Sequence, residues 1–492
     1  MAERKADGRK IFAGPAIRRL RRELGLTQVR MSEELGVSTS YLNLIERNQR
    51  PLTAQILLRL AETYDVDLKS LAGDEEQQAI AQLQEVFSDP VLAGADVMQQ
   101  ELRDLAAASP TAVQAISRLH RAYQDALASA NAMAEHFADR DLEPPSVVGE
   151  DLQRGEGLQF PVEEVRDHFH AKRNHFADID DAAEALYEDA KFHKDEPYFA
   201  LRDYLKSVHN TNVRVMPVDV MSATLRRYDQ HNKTIYLSER LPYSARVFQL
   251  ANRAFLLAHS DLIDAEVEAS NLDPISAAPL FRVGLANYAA AALMMPYSRF
   301  HNAAKILRYD VEALCDRFSA GFEQVAHRLT TMQRRGDRGI PFFLIRVDTA
   351  GNVSKRFSAG GFHFARQGGT CPRWNLHEAF RLPGQTFKQA IELSDGTEYF
   401  SISRTVDRVG GDTAIPNQQF VVGLGCELDY AKRLCYADGM DLENPKLPTP
   451  IGVTCRLCDR ADCTQRAFPP LNRRLTVHDH VRGVSPFTFA LE

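Results

Sequence analysis

At 492 residues, with 44% hydrophobic and 25% charged side chains, the chain is a globular protein long enough for about three domains. A net charge of −7 excludes a protein that is basic throughout, so any contact with nucleic acid must come from a local patch. With no run of about 18 apolar residues and no signal-peptide core in MAERKADGRK, the sequence reads as a cytoplasmic protein whose seven cysteines are thiols or metal ligands rather than disulfides.

The first expected elements are short helices over residues 9–75. Apolar side chains recur at helical spacing as Ile17, Leu20 and Leu24, then Val29, Met31 and Leu35, then Tyr41, Leu42 and Ile45, and last Ile56, Leu57 and Leu60. In GVSTS, Gly36 is placed to close one helix and Ser38 to cap the next. Helices joined by so tight a turn form a helix-turn-helix. Residues 1–30 carry nine Lys or Arg against three Asp or Glu, a positive patch in an acidic chain. The run LGLTQVRMSEELGVSTSYLNLIERNQRPLT resembles the XRE-type (Cro and phage-repressor-like) helix-turn-helix family nearly position for position.

That resemblance implies double-stranded operator DNA as a partner. Thr39, Ser40, Tyr41 and Asn43 would face bases; Arg18, Arg22, Gln28, Arg47 and Arg50 would meet phosphates, with Gln28 also bracing the recognition helix. Such modules bind as dimers on half-sites one turn apart, so a homodimer or a higher homo-oligomer is expected. From Asp74 to Leu142 the chain is rich in Ala, Gln, Leu and Glu and reads as a helical connector, either pairing two chains or packing on its own; DLEPPSVVGE ends it.

Residues 151–335 alternate helices with an expected strand pair, NVRVMPV and KTIYLS, joined through SATLRRYDQHN. FQLANRAFLLAH (Phe248 to His259) follows, then RVGLANYAAAALMMP. Zincin peptidases place His-Glu-x-x-His on such a helix, with two imidazoles for Zn²⁺ and a Glu as general base. The order of hairpin, helix and Ala-rich helix resembles the ImmA/IrrE-like metallopeptidase family. Here, however, the ligand positions hold Asn252, Arg253 and Leu256, and Arg282, Val283, Gly284 and Leu285 supply no carboxylate ahead of Ala286-Asn287. Asn and Leu do not hold Zn²⁺ and Arg253 would repel it, so this region reads as a scaffold and not an enzyme. His168, His170, His175 and His193 lie in a stretch that reads as amphipathic helix, with His168 and His175 on one face, and are expected to be packed or surface imidazoles. DVEALCDRFSAGFEQVAHRLTTM has a helix-turn-helix rhythm but reads as ordinary packing helices.

Beyond Gly336 the texture becomes strands: IPFFLIRVD, GNVSKRFSA, TEYFSISRTV and QQFVVGLGC, with helices at HEAFRLP and ELDYAKRLCYADG. GLGCEL is expected to follow a strand and open a helix, but Leu428 stands where a dinucleotide fingerprint needs its third Gly. The sharpest signal is CRLCDRADC. Its Cys-x₂-Cys-x₄-Cys spacing lets Cys455, Cys458 and Cys463 reach one centre, and nearby Arg would favour thiolates. Iron–sulfur clusters and structural zinc both take four ligands, so Cys426 or Cys371 is expected to be the fourth, with His478 or His480 open for a zinc site. Cys435 and Cys315 read as packing residues.

Across residues 9–475 the chain resembles the short-chain fatty acyl-coenzyme A regulator family of bacteria. The match is carried by RRYDQHNKTIYLSERL, FEQVAHRLTTMQR, GNVSKRFSA, CPRWNLHEAF and IGVTCRLCDRADCTQRAFPP. The resemblance implies an acyl-CoA sensor controlling propionate or acetate metabolism (methylcitrate and glyoxylate pathways), with a 4Fe–4S cluster in its C-terminal domain. Zinc in place of the cluster, and a redox- or iron-responsive factor that binds no acyl-CoA, remain the alternatives. A CoA site needs cations and an apolar slot; Lys355, Arg356, Arg366 and Arg373, interleaved with Phe357, Phe362, Phe364 and Trp374, are the candidates, with Lys355 and Arg356 singled out. The expected fold is multidomain, mainly α first and α+β after it. It comprises an XRE helix-turn-helix bundle (1–75), a helical connector (76–150), a degenerate zincin-like α+β domain (151–335) and a C-terminal mixed α/β sensor domain with a cysteine cluster (336–492).

Overall fold

The computed structural model describes residues 14–23, 25–46, 49–64, 74–92, 97–109, 112–124, 161–192, 196–221, 224–364, 369–408 and 418–470, and positions 475, 476, 480, 483–485 and 487–489 beyond them. The chain divides into two compact units, Met1–Glu150 and Asp151–Glu492. DLEPPSVVGE and His193 lie outside the described residues.

The first unit opens with four helices: α1 (Gly14–Glu23), α2 (Gln28–Glu34), α3 (Thr39–Glu46) and α4 (Ala54–Tyr64). Their shared core is Ile17, Met31, Leu35, Leu42, Ile45, Leu52, Ile56 and Leu60, the apolar stripe of each helix turned inward. The Thr27 side chain accepts from the Arg30 amide to start α2, and the Ser38 hydroxyl accepts from the Tyr41 amide to start α3. Between them Gly36 sits at φ +62°, and the Arg59 guanidinium fills the space a Cβ would need while donating to the Leu35 carbonyl at 2.7 Å. Only glycine serves there. Helices over Asp74–Phe87, Gln99–Ala108 and 112–124 close a separate small core of Leu83, Leu102, Ala106 and Val113.

The larger unit is built around the helix Ala277–Met294, whose Ala289, Ala290 and Ala292 are fully buried and let neighbouring helices close on it. By length and composition this helix would suit a membrane; here it is the core helix of a folded unit, packed by Pro161–Ala171, Ala177–Asp189, Tyr243–Ala258 and Ser260–Ala269. The expected strand pair is present but is not a hairpin. β1 (Asn212–Met216) pairs parallel with β3 (Thr234–Ser238), and RRYD within the joining segment forms β2 (Arg226–Asp229), antiparallel to β3. A parallel pair needs a crossover, and the joining segment supplies it with the short helix Val218–Met221. His168 and His175 do not share a helix face, because the helix stops at Ala171 and Arg173 and Asn174 turn to positive φ.

The second sheet has six strands in the order β5-β4-β8-β7-β6-β9: β4 (Phe343–Asp348), β5 (Val353–Ser358), β6 (Phe387–Glu392), β7 (Glu398–Arg408), β8 (Gln418–Glu427) and β9 (Thr449–Pro450). It is antiparallel except for β6 with β9. GLGCEL does not form a strand-to-helix turn: Gly423 to Glu427 lie inside β8, and a 3₁₀ helix, Leu428–Arg433, follows. HEAFRLP contributes only one turn, Leu376–Ala379. One apolar core crosses residue 335, running from Phe169 and Leu201 through Leu285 and Leu329 to Leu344, Phe400 and Cys426.

At its centre Arg328 and Asp180 are fully buried, 2.6 Å apart. Burial opposes charge on Asp180, but Arg328, His175 and Tyr288 hold its carboxyl below the usual range. Arg328 also donates to the Met295 carbonyl at 3.0 Å, and Tyr288 donates to Asp180 at 2.6 Å. Asp180→Asn should leave a buried guanidinium uncompensated and lower unfolding stability by about 3–5 kcal/mol, whereas Asp180→Leu with Arg328→Met should recover most of it. Urea unfolding of the three proteins measures this, and equal loss in single and double variants would refute it.

Candidate functional site

The recognition face of α3 is held by a buried carboxylate the sequence did not flag. Glu46, the last residue of α3, has no side-chain exposure and takes Arg21 Nε at 2.7 Å, Arg21 Nη2 at 3.1 Å and Gln28 Nε2 at 2.8 Å. Arg18 approaches it at 3.7 Å and donates to its backbone carbonyl at 3.3 Å. Burial raises the proton affinity of Glu46, but the Arg21 and Gln28 hydrogen bonds outweigh it and keep the carboxyl below its ordinary range. Gln28 and Arg18 are therefore tied into the protein, and their first role is to fix α1, α2 and α3 relative to one another. Periodicity alone carried a hint: Glu46 follows Leu42 and Ile45 on the inward stripe.

Of the residues expected at bases, Ser40 is exposed, Asn43 is half-buried and Thr39 shares a hydroxyl contact with Ser32 at 3.0 Å. Tyr41 leans partly on the core, leaving one edge outward. Arg50 is exposed; Arg47 and the Arg22 side chain lie outside the described residues.

In the larger unit the zinc-ligand positions lie on the helix Tyr243–Ala258. Asn252 is buried, accepts from Arg226 at 2.6 Å and donates to Asn287 at 3.3 Å; Arg253 and Leu256 are half-buried. Amides and guanidiniums occupy the ground where a zincin has imidazoles and a carboxylate.

Lys355 and Arg356 do not converge on a ligand slot. Neighbours on β5 point to opposite faces, and each is already paired: Lys355 with Glu323 at 2.8 Å, Arg356 with Glu163 at 2.6 Å. Burial of Glu323 favours its neutral form, yet Lys355 and Arg346 pull its pKa down to about 2. Phe362 and Trp374 are buried in the core with Phe343 and Tyr399, and Phe364 packs against it. Arg366 lies outside the described residues.

The cysteine loop does converge. Cys371, Cys455, Cys458 and Cys463 line one cavity together with Arg373, Arg460 and Arg466, while Cys426 sits on β8 in the main core, its thiol pushed up by burial. The cavity measures about 10 Å³, and among the described residues no three His, Cys, Asp or Glu side chains stand close enough together to hold a metal ion. The surroundings are nevertheless built for sulfur. Burial raises the Cys371 pKa, while the amides of Gly452 and Arg373 donate to its sulfur and oppose the rise. A Cβ on Gly452 would stand 2.9 Å from Cys458 Sγ, so only glycine lets that backbone lie against the thiol. Arg466, 4% exposed, donates to the carbonyls of Cys455, Cys458, Arg460 and Phe468 at 3.0, 2.8, 2.6 and 3.3 Å. Arg460 anchors the loop to Glu392 on β6. His478 is outside the described residues, and His480 does not line the cavity.

A capped helix-turn-helix joined to a sheet-and-helix unit defines a transcriptional regulator with a separate C-terminal module. Residues 17–71 match the helix-turn-helix family, 207–330 the IrrE N-terminal-like domain, and 331–487 the family described as short-chain fatty acyl coenzyme A regulator, C-terminal. The chain belongs to the short-chain fatty acyl coenzyme A regulator family. It is 39% identical to the HTH-type transcriptional regulator RamB of Mycobacterium tuberculosis over 482 residues, covering 97% of this chain and 98% of that one. The propionyl-CoA carboxylase regulator of Cereibacter sphaeroides is 38% identical over 483 residues, with 97% and 98% covered, and the HTH-type transcriptional regulator PrpR of M. tuberculosis is 36% identical over 479, with 97% and 96% covered. A solved Mycobacterium tuberculosis transcriptional regulator superposes with TM-score 0.64 at 39% identity, covering 67% of this chain and all of that one.

The Glu46 brace separates a substitution on α3 from one on α2. Asn43→Ala should leave the melting temperature unchanged and alter preference among operators, whereas Gln28→Ala should lower the melting temperature and weaken binding to operator and random DNA alike. Fluorescence anisotropy with matched melting curves measures both. Identical behaviour of the two variants would refute this division of roles.

Proposed function

We propose that the chain is a cytoplasmic, homodimeric regulator that binds operator DNA through α3 and controls short-chain fatty acid metabolism, of propionate or acetate, in response to a short-chain acyl-CoA. The single observation that carries this reading is the family match over residues 331–487 on the same chain as the helix-turn-helix. The names of the relatives, a propionyl-CoA carboxylase regulator among them, support it. A cleft of about 300 Å³ beside the cysteine loop is lined by Arg373, Asn375, Gln389 and Gln465 together with Glu378, a polar pocket with one cation and one carboxylate. Ligand that favours one arrangement of the dimer would change whether two α3 helices reach successive major grooves.

In the same proposal Cys371, Cys455, Cys458 and Cys463 hold a 4Fe–4S cluster. Four thiols with no carboxylate among them suit iron–sulfur or zinc. Three neighbouring guanidiniums, Arg373, Arg460 and Arg466, offset the negative charge that four thiolates bring to either centre, and the choice of the cluster follows from the family resemblance. A cluster so held would crosslink the loop after β9 to the segment before Trp374. Of the two candidates for the fourth ligand, Cys426 and Cys371, this reading takes Cys371.

Anaerobically purified Cys371→Ser and Cys458→Ser should lose iron and sulfide together, and Cys426→Ser should retain both. Retained zinc with no sulfide would overturn the iron assignment. Operator binding titrated with acetyl-, propionyl- and longer acyl-CoAs should shift with one of them and not with free CoA. Indifference to all of them would move the signal to the cysteine loop.

A further inference from the structure

Arginines that bear on the core of the larger unit meet carboxylates: Arg328 meets Asp180, Arg356 meets Glu163, Arg346 meets Glu323 and Arg334 meets Glu184. Arg226 and Arg253 differ. Among the described residues neither is paired with Asp or Glu, and each lies in the other's field. Arg226 and Tyr228, two apart on β2, share a face of the strand. Arg226 donates to Asn252 on the helix Tyr243–Ala258, and the Arg253 guanidinium lies 3.6 Å from the centre of the Tyr228 ring. Burial and the Arg253 charge both push the Arg226 pKa down. Arg253 Nε is buried without a hydrogen-bond partner, and so is His209 Nε2 close by. His209 feels the positive charge of Arg253 and Lys233, after burial itself. Two like charges in a half-desolvated place, with Arg253 Nε and His209 Nε2 buried and unsatisfied beside them, favour an anion.

We propose that Arg226, Arg253 and His209, with Lys233 at the edge, form an oxyanion site for a phosphoryl group at the place where this fold's peptidases hold zinc. The donors outnumber the two oxygens of a carboxylate, and the local positive charge matches a dianion. The site deepens the effector reading where coenzyme A supplies the phosphate, and stands without that reading where inorganic phosphate does.

The test uses the full chain at constant ionic strength, with inorganic phosphate as the probe and chloride as the control. Phosphate should raise the melting temperature of the wild type, and propionate should not. Arg226→Gln and Arg253→Gln should each weaken phosphate binding about tenfold or more. In chloride each variant loses like-charge repulsion together with one contact, to Asn252 or to the Tyr228 ring, so both should stay folded with melting temperatures near the wild type, and the phosphate-induced shift is read against each variant's own chloride value. His209→Gln, which keeps a donor, should weaken binding less. Phosphate protecting wild type and both arginine variants equally, or protecting none, overturns the proposal whatever acyl-CoA does. An equal response to propionate overturns the phosphoryl assignment. Coenzyme A and dephospho-coenzyme A form the second arm. Loss of coenzyme A binding in the arginine variants makes the coenzyme the source of the phosphate, and unchanged binding leaves inorganic phosphate as the source. A chain that binds phosphate but no coenzyme A keeps this site and loses the acyl-CoA reading.

Discussion

The larger unit depends on one buried ion pair. Arg328 and Asp180 meet with almost no solvent, and between them they engage the helix Ala177–Asp189, Tyr288 on the central helix, the Met295 carbonyl that follows it, and the helix Phe322–Leu329. A charge so placed tolerates no misalignment, since either partner alone would be stranded in a medium of low polarity. The pair therefore specifies how four segments come together more than it adds to net stability. Glu163 and Glu323 extend the same logic outward, docking β5 through Arg356 and Lys355 and so joining the second sheet to the helical frame.

Within that frame the helix Tyr243–Ala258 carries Asn252, Arg253 and Leu256 where the zincin motif would place its ligands. A zincin helix presents neutral imidazoles and an acid to a cation. Here the same turn presents an amide and a guanidinium, and β2 supplies a second guanidinium. In the proposed anion site, donors from this helix and from β2 face a negative group where a zincin helix would face a cation. Fold and site chemistry are separable because one helix and strand can present different side chains at the same positions.

The cysteine loop shows a different economy of structure. It has little regular secondary structure, so its backbone carbonyls lack ladder partners, and Arg466 satisfies four of them from the inside. The guanidinium thus shapes the loop and lends positive charge to the thiols at once. Gly452 then lets a neighbouring strand end lie against Cys458.

Much of the first unit was legible in the chain because its determinants are local. Helical periodicity, a glycine at φ +62° and a serine cap fall within a few residues of one another, so α2, the turn and α3 follow from short-range rules. The Cys455, Cys458 and Cys463 triplet was equally plain, as was the absence of His and Glu at positions 252, 253 and 256, which hold Asn252, Arg253 and Leu256. Tertiary structure alone decided what depends on partners distant in sequence. It placed Cys371 beside the triplet and put Cys426 into the core. It gave Gln28 and Arg18 to Glu46, and Lys355 and Arg356 to carboxylates 32 and 193 residues away. It made β1 and β3 parallel by inserting β2. Spacing along a chain reports which side chains share a helix face or a turn; which charges cancel, and which thiols meet, is settled by packing between segments that no local pattern relates.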